Sequence, residues 1–465
     1  MMRNFEKIQR PVRVLQFGTG NFLRGFADWM IDIMNESTGF NAGVHVVQIH
    51  GKSLSEDFFH QNFNFHVLTK GIINGEKTEE KRVVTCLSGM TNANSDYSSF
   101  LNLSKLPDLQ FIISNTTEAG IVFDPKDELW RNQVPLTFPG KLTSLLFHRF
   151  EFFKGDPEKG LVFMPCELID KNGEVLRSCI LKYSDLWGLP KNFVNWIKDC
   201  HTFCNTLVDR IVPGFPKESF QDIQEQIGFE DKLVVMAEPF HLWVIEGASS
   251  LEKSFPAPDA GLQVKYVKDL SPYRTRKVRV LNGAHTAMVP LAYLSGLRSV
   301  RDALEDPEMG SIIREIIFNE IIPTLDLPSD ELYQYASDVL DRFRNPFIRH
   351  ELISIALNSV SKFRVRVMPS LLEYKKRKGY WPKYLSRSLA YLIQFYSGKT
   401  KNDTIALKDD PGVIAFFQDL WKGNDLANII QETLKREDFW GEDLSKMEGL
   451  AEILINELEN YKNSV

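Results

Sequence analysis

A chain of 465 residues, 43% hydrophobic and 25% charged, has the composition of a globular protein with two or three substantial cores. Its formal net charge of −6 is too small and too mixed to indicate nucleic-acid binding. No run approaches the roughly 18 apolar residues of a membrane helix, and the N-terminus lacks the apolar core of a signal peptide. Five scattered cysteines favour reduced thiols in a cytoplasm and form no metal-ligand pattern. We therefore expect a cytoplasmic protein without a metal site, a membrane or nucleic-acid partner, or an obligate protein partner.

The first predicted elements are a strand, a glycine turn and a helix. The apolar run Val12–Phe17 ends in Gly18-Thr19-Gly20, and apolar residues recur at helical spacing after it. In this order the free N–H groups of a helix N-terminus face a pyrophosphate, so Gly18 and Gly20 are candidate dinucleotide contacts. Leu23 stands where the third glycine of the usual fingerprint would be. A tight turn that binds no ligand is the alternative interpretation.

Further β-type runs alternate with helical runs through the first half of the chain. The predicted strands are Val12–Phe17, Val44–Ile49, Gln110–Ile113, Leu161–Met164 and Leu233–Met236, and the predicted helices include Phe22–Asn35 and Lys141–Phe153. Such alternation is typical of a largely parallel sheet that helices cover on both faces.

The end of the second predicted strand bears on the choice of cofactor. An acid about twenty residues past the glycine turn usually binds the ribose 2′-hydroxyl of NAD. Here no acid follows the strand until Glu56, while Lys52 and Ser53 offer contacts to a phosphate. The residues alone therefore leave NADP open.

Two polar loops follow later strands, at the edge where an open parallel sheet binds its ligands. Asn115 follows the run that ends at Ile113, where it is a candidate cofactor contact or, equally, part of a helix cap. Glu167 follows the run that ends at Met164, and it is either an acid of an ordinary loop or a substrate contact. Cys166 beside it is expected to be a small buried side chain, because no nearby histidine would activate it.

From about residue 268 the pattern becomes helical. The predicted helices are Val278–Leu294, Pro307–Ile321, Asp330–Arg342, Leu352–Ser361, Tyr384–Tyr396, Ile414–Trp421 and Leu444–Tyr461. We therefore predict an α/β fold with an N-terminal Rossmann-like domain over residues 1–270, whose sheet is mostly parallel, and a mainly α-helical substrate and catalytic domain over 271–465. The chemistry is then expected in the cleft between the domains.

The start of the helical region carries the strongest chemical signal. Lys277, Asn282 and His285 are spaced as K-x4-N-x2-H, and at about 100° per residue they fall within roughly 140° of one another on a helix. A base, an amide donor and an imidazole are what hydride transfer at a carbinol carbon needs without a metal. The alternative is structural: a surface lysine, a helix kink at Asn282-Gly283 and a histidine of the core.

Two basic segments lie further along. Arg342 ends a predicted helix before Pro346, where it would bind a substrate carboxylate or complement the helix dipole. In the segment Lys362–Arg366, charged and apolar residues alternate, and structural salt bridges are an adequate explanation.

Several short segments together resemble one family. They are Gly-Thr-Gly-Asn-Phe-Leu-Arg-Gly at 18–25, Thr-Glu-Ala-Gly-Ile at 117–121, Phe-Pro-Gly-Lys-Leu-Thr at 138–143, Val-Asp-Arg-Ile-Val-Pro at 208–213, Glu-Pro-Phe at 238–240, the Lys-Asn-His triplet, Arg-Phe-Arg-Asn-Pro at 342–346 and Met-Pro-Ser-Leu-Leu-Glu-Tyr at 368–374. This set, in this order, resembles the polyol-specific long-chain dehydrogenases, the mannitol dehydrogenase family.

The resemblance implies an NAD-dependent, metal-independent oxidoreductase in which Lys277 is the acid/base. It also implies cofactor contacts at Asn21, Phe22, Glu118 and Asp209. Within the family the chain most resembles members that reduce tagaturonate to altronate in hexuronate catabolism. Relatives that act on mannitol or fructuronate carry an oxyanion-binding Asn where this chain has Leu168.

The residues alone leave alternatives to this assignment open. Fructuronate or a neutral ketose is the nearest alternative substrate, and a dinucleotide-binding sensor that has lost catalysis is an alternative of a different class. The expected partner is a small sugar acid, and the sequence gives no oligomeric state.

Overall fold

The computed structural model describes residues 8–463 except 52, 117–119, 128–132, 229, 248–249, 349, 401–402 and 424, and excluding the side chain of Glu218. The chain forms two compact units. Unit 1 comprises Met1–Lys70 and Thr78–Leu270, and unit 2 comprises Gly71–Lys77 and Ser271–Val465. Apart from the segment 71–77, the boundary between the two units therefore lies between residues 270 and 271. The segment 71–77 groups with unit 2, because the Gly75 N–H donates to Asp341 Oδ2 at 3.1 Å.

The strands, in chain order, are β1 (Val12–Phe17), β2 (Gly43–Gln48), β3 (Phe65–Ile73), β4 (Glu76–Val84), β5 (Leu87–Asn92), β6 (Phe111–Ser114), β7 (Val162–Pro165), β8 (Thr202–Phe203), β9 (Asn205–Asp209), β10 (Val235–Ala237), β11 (Leu242–Glu246) and β12 (Val264–Val267). The main sheet of unit 1 has the order β5-β2-β1-β6-β7-β8, and its neighbouring strands pair in parallel. The predicted parallel sheet is therefore confirmed. The strand order reverses at β1, which has β2 on one side and β6 on the other.

The helices of unit 1 are α1 (Asn21–Leu23), α2 (Trp29–Ser37), α3 (Glu56–His60), α4 (Tyr97–Asn102), α5 (Phe138–Phe152), α6 (Asn172–Leu186), α7 (Lys191–Asp199), α8 (Phe220–Ile227) and α9 (Leu251–Ser254), with a π-helical segment at Arg24–Asp28 and 3₁₀ turns at Leu103–Lys105, Pro157–Lys159, Lys217–Ser219 and Pro258–Ala260. Among them, α2 and α5 pack on opposite faces of the main sheet. Val14 of β1 packs into one buried cluster with Met30, and its neighbour Leu15 packs into the opposite cluster with Leu142. This alternation fixes β1 as a central strand.

Two small sheets complete unit 1, with the orders β10-β3-β4 and β12-β11-β9. The predicted strand Leu233–Met236 was expected to continue the main alternation, but the observed β10 pairs with β3 instead. Sequence reasoning missed both β3 and β4. The sequence of β4, Glu-Lys-Thr-Glu-Glu-Lys-Arg-Val-Val, is mostly exposed and carries little apolar signal. The strand β3 is mostly buried and was missed despite its apolar residues.

Apart from the 71–77 tip, the described residues of unit 2 form helices and loops. The helices are α10 (Ser271–Arg276), α11 (Ala284–Leu294), α12 (Val300–Glu305), α13 (Pro307–Glu315), α14 (Ser329–Phe343), α15 (Leu352–Ile355), α16 (Ser359–Arg366), α17 (Met368–Lys378), α18 (Lys383–Phe395), α19 (Pro411–Leu420), α20 (Leu426–Leu434), α21 (Glu437–Trp440) and α22 (Leu450–Asn463), with π-helical segments at Lys277–Gly283 and Ile316–Ile321 and 3₁₀ turns at Ile322–Thr324 and Leu444–Lys446. The predicted helix Leu352–Ser361 is broken, because Asn358 adopts φ +54° between α15 and α16. Within the described residues, no helix is long and apolar enough to cross a membrane.

Candidate active site

The glycine turn after β1 has two glycines with different requirements. Gly18 adopts φ +124°, and a Cβ there would lie 2.7 Å from the backbone oxygen of Asn115. Gly20 has an ordinary φ of −67°, and a Cβ on it would meet no atom within 4 Å. Gly18 is therefore needed by the backbone itself. Gly20 leaves an uncovered backbone at the start of a helix, which is the environment that a pyrophosphate needs.

The helix after the turn runs from Asn21 to Ser37 through a π-helical segment. The side chain of Leu23 would lie 3.4 Å from a Cβ on Gly18, so it packs under the turn in place of a third glycine. Phe22 is half-buried and stacks on Phe26 with ring centroids 5.0 Å apart. Arg24 Nη2 donates to Asn21 Oδ1 at 2.5 Å.

Arg24 is a positioning residue that sequence reasoning missed. It is buried, also donates to the Leu233 carbonyl, and lies over the ring of Phe65 at 5.4 Å. Burial lowers the pKa of its guanidinium to about 10, so it stays charged at neutral pH. From sequence alone, an arginine in a helix is expected at the surface. Its function in orienting Asn21 could therefore not be predicted.

The carboxyl ends of β1, β6 and β7 lie side by side, as the parallel register requires. The Asn115 N–H donates to the Phe17 carbonyl at 3.0 Å, and Asn115 Nδ2 donates to the Cys166 carbonyl at 3.0 Å. Asn115 thus lies next to Gly18 at the edge of the sheet. Among the described residues, the Asn115 side chain makes no hydrogen bond that caps a helix. That Asn115 contacts the cofactor remains a proposal.

The carboxylate of Glu167 is buried in the same edge. Oε1 accepts hydrogen bonds from the Thr116 N–H at 3.0 Å and hydroxyl at 2.9 Å, and Oε2 accepts one from the Ser114 hydroxyl at 3.0 Å. Burial raises the pKa of Glu167 despite these donors. The contacts give Glu167 a structural function, which is to fix the loop that carries Asn115. Leu168 beside it is exposed.

Glu118 and Asp209 are the remaining predicted cofactor residues. Glu118 lies outside the described residues. Asp209 is buried at the end of β9, where it pairs with Leu242 of β11. The next residue, Arg210, donates from Nη1 to the Gly25 carbonyl at 2.7 Å and lies 4.0 Å over the ring of Trp29. This contact joins the end of β9 to the helix that follows the glycine turn.

In unit 2, Lys277 and Asn282 lie in a π-helical segment, and His285 lies in the first turn of α11. The expectation of regular α-helical geometry for the three was therefore wrong. A π-helix closes i→i+5 hydrogen bonds and contains more residues per turn, so the 100° spacing does not apply. Such segments often occur at functional sites.

Arg276 anchors the start of the segment. It is buried, lies 4.2 Å over the ring of Tyr335 and pairs with Glu331 at 3.5 Å. At the other end, Asn282 is half-buried, and its carbonyl accepts a hydrogen bond from the Thr286 hydroxyl at 2.8 Å. The segment is thus fixed on both sides of Lys277 and Asn282.

His285 is a buried and neutral imidazole. Its ring stacks on Phe343 with centroids 4.1 Å apart and meets His350 edge-on at 5.2 Å. Burial, followed by the nearby His350, Arg342 and Arg366, lowers its pKa well below the ordinary value. Nε2 is buried and has no hydrogen-bond partner among the described residues. A buried polar atom without a partner is costly, and a substrate hydroxyl would satisfy it.

Arg342 is buried in the last turn of α14, next to Phe343. It therefore lies close to His285, as its charge effect on that ring requires. The structure describes no group of three or more His, Cys, Asp or Glu side chains placed to bind a metal ion.

Two family models match most of this chain. The family model described as the mannitol dehydrogenase Rossmann domain matches residues 12–257, and that of the mannitol dehydrogenase C-terminal domain matches residues 269–462. The altronate oxidoreductase of Bacillus subtilis (strain 168) is 47% identical over 96% of this chain and 91% of that protein. The protein of that name from Bacteroides thetaiotaomicron is 44% identical over 98% of this chain and 95% of its own. The altronate oxidoreductase of Yersinia enterocolitica is 41% identical over 99% of this chain and 97% of that protein.

Two solved structures share the fold. D-sorbitol dehydrogenase in substrate-free form superimposes with a TM-score of 0.81 at 24% identity, covering 96% of this chain and 92% of that one. Pseudomonas fluorescens mannitol 2-dehydrogenase, in a ternary complex with NAD and D-mannitol, gives a TM-score of 0.67 at 22% identity, covering 100% and 94%. The predicted fold class, a Rossmann-like region followed by a helical region, is confirmed.

Proposed function

Because the chain belongs to the mannitol dehydrogenase family, we propose that it catalyses the reversible, NAD-dependent reduction of tagaturonate to altronate. Family membership makes it an oxidoreductase that acts on CH–OH groups, as the sequence predicts. The observation that carries the choice of substrate is the identity of 41–47%, over nearly the whole chain, with relatives named altronate oxidoreductase.

The cofactor is NAD, in agreement with the resemblance. The residues at the edge of the main sheet fit a dinucleotide. Gly20 offers uncovered backbone at a helix start. Asn21 follows it in the chain, and Asn115 lies next to Gly18. The Asn21 and Asn115 side chains are fixed by Arg24 and by the Cys166 carbonyl. When bound, NAD supplies the nicotinamide that takes up or gives the hydride. Arg24 and Glu167 act indirectly, because they fix Asn21 and the Asn115 loop.

The proton is moved by the residues of the π-helical segment. In alcohol oxidation Lys277 Nζ accepts the hydroxyl proton, and in reduction it returns that proton to the ketone oxygen. The Asn282 amide and His285 Nε2 hydrogen-bond to the same oxygen, which stabilises the charge that develops there. A neutral His285 suits this function, because a neutral imidazole can hydrogen-bond to the substrate oxygen without changing its own charge.

The proposal is tested by following NADH and, separately, NADPH oxidation by the purified protein. Tagaturonate, fructuronate and fructose serve as acceptors, and Lys277→Ala serves as the inactive control. Loss of NADH with tagaturonate alone would support the substrate and the cofactor together. Faster turnover with fructuronate or fructose would keep the family and refute the substrate. No turnover with any of the three would favour a different polyol or a non-catalytic sensor.

A further inference from the structure

Arg366 occupies an unusual position at the end of α16. Its backbone oxygen would lie 2.9 Å from a Cβ on Gly283, so α16 packs directly against the segment between Asn282 and His285. The Arg366 side chain is half-buried, yet it makes no hydrogen bond or ion pair with any residue that the structure describes. Burial lowers the pKa of its guanidinium, and no carboxylate contributes to that shift.

Neighbouring arginines show how unusual this is. Arg364, two residues earlier in α16, is exposed and donates to the Asp438 carbonyl at 3.2 Å. Arg276 is buried and pairs with Glu331. Buried or half-buried charges in proteins are normally paired. The sequence-based explanation of Lys362–Arg366 by structural salt bridges was therefore wrong for Arg366.

Two arginines lie near His285. Burial is the main cause of its lowered pKa, and the nearby His350, Arg342 and Arg366 lower that pKa further. Arg342 is buried and has further contacts of its own, whereas Arg366 retains its donors. An anion beside the reacting carbon would balance this charge.

We propose that Arg366 binds the carboxylate of a sugar-acid substrate and thereby sets the preference of the enzyme for acids over neutral ketoses. This inference rests on the proposed function, because it concerns the same site. In a six-carbon 2-ketose whose terminal carbon is a carboxylate, as in tagaturonate, four C–C bonds, roughly 5 Å, separate the keto carbon from the carboxylate. A guanidinium is the group best suited to bind it, since its planar donors match both carboxylate oxygens.

The test compares Arg366→Met with its matched control Arg364→Met. The two acceptors are tagaturonate and D-tagatose, in which a hydroxymethyl group replaces the carboxylate, and NADH is the reductant. For Arg366→Met we expect kcat/KM to fall about 10- to 100-fold with the acid. The change with high concentrations of tagatose should stay within about threefold, so the acid-to-neutral ratio collapses. Arg364→Met should keep the wild-type ratio.

Two further readouts separate this function from a structural one. The NADH dissociation constant and the melting temperature of Arg366→Met report on folding, and Arg366→Lys should recover part of the acid activity because it keeps the charge. An equal loss with both acceptors, or an unchanged acid-to-neutral ratio, would overturn the proposal. If the wild type reduces no acid at all, the proposed function fails first, and the inference fails with it.

Discussion

Substituting alanine for each of the two glycines of the turn after β1 should have opposite effects on folding and on cofactor binding. Gly18→Ala forces an L side chain into φ +124° and places a Cβ 2.7 Å from a backbone oxygen. Gly20→Ala leaves φ at −67°, and the new Cβ meets no protein atom within 4 Å. The first change should therefore damage the fold. The second should leave the fold intact and obstruct only what binds there.

The magnitudes follow from these two geometries. For Gly18→Ala the strained backbone costs about 1–3 kcal/mol, and displacing the neighbouring carbonyl adds about 1–3 kcal/mol. This total corresponds to a fall in melting temperature of about 5–15 °C for a unit of this size. For Gly20→Ala the cost to stability should be below about 1 kcal/mol, since only the preference for Gly over Ala at a helix N-cap is lost. If a pyrophosphate contacts this backbone, lost charge-assisted hydrogen bonds weaken NADH binding about tenfold or more.

The assay measures thermal unfolding and NADH fluorescence titration on both variants and the wild type. The expected pattern is a large shift of melting temperature for Gly18→Ala, and weak NADH binding at near-normal melting temperature for Gly20→Ala. Full NADH affinity in Gly20→Ala would refute the placement of the pyrophosphate at this turn. An unchanged melting temperature in Gly18→Ala would refute the argument from φ and the carbonyl contact.

Three further predictions concern single side chains. Lys277→Ala should lower kcat at least 100-fold while the NADH dissociation constant changes less than about threefold; a variant that keeps more than about a tenth of wild-type activity would remove Lys277 from the acid/base function. Burial raises the pKa of Asp28 to about 7, so the unfolded chain ionises first and wild-type stability falls as the pH rises from about 4 to 7. Asp28→Asn should remove this pH dependence. Between pH 4 and 7, the free energy of unfolding of the variant, measured in urea, should therefore rise relative to that of the wild type by up to about 1.4 kcal/mol per pH unit. A difference between the two proteins that stays constant with pH would contradict the prediction. Glu167→Gln puts an amide N–H against the donors of Ser114 or Thr116, and it should weaken NADH binding about fivefold in the same titration, whereas unchanged binding would show that the Asn115 loop does not depend on this carboxylate.

Four of the six strands of the main sheet were predictable because they are apolar runs in the sequence, whereas β5 and β8 were missed. The predicted strand Val12–Phe17 coincides with β1, and the other strands predicted for this sheet lie within one or two residues of those observed. Buried parallel strands are continuous apolar runs bounded by turn residues, so local pattern and tertiary position agree. The glycine turn and the Asn115 loop followed from this, since both lie where such strands end.

The small sheets and the contacts of single charged residues were not predictable in this way. The strand β4 carries mostly exposed polar residues, and its partner is set by a hairpin and not by apolar periodicity. Arg24, Arg276 and Glu167 gain their functions from partners distant in sequence, such as Leu233 for Arg24 and Glu331 for Arg276. Sequence shows a charge but not its burial, so the unpaired Arg366 looked like one more member of an alternating surface segment.

The π-helical segments connect these observations. One carries Arg24 and Asp28 below the glycine turn, and another carries Lys277 and Asn282, so both candidate binding regions lie on helices with one widened turn. Such a turn costs stability, and its persistence needs surrounding contacts that fix it. At Lys277–Gly283 those contacts are the buried Arg276 on one side and the α16 backbone on the other. Glycine in a helix costs about 1 kcal/mol relative to alanine. A glycine at 283 avoids a close contact, because a Cβ there would lie 2.9 Å from the Arg366 carbonyl oxygen. The same contact packs the end of α16, where Arg366 lies, against the segment that carries Lys277 and Asn282.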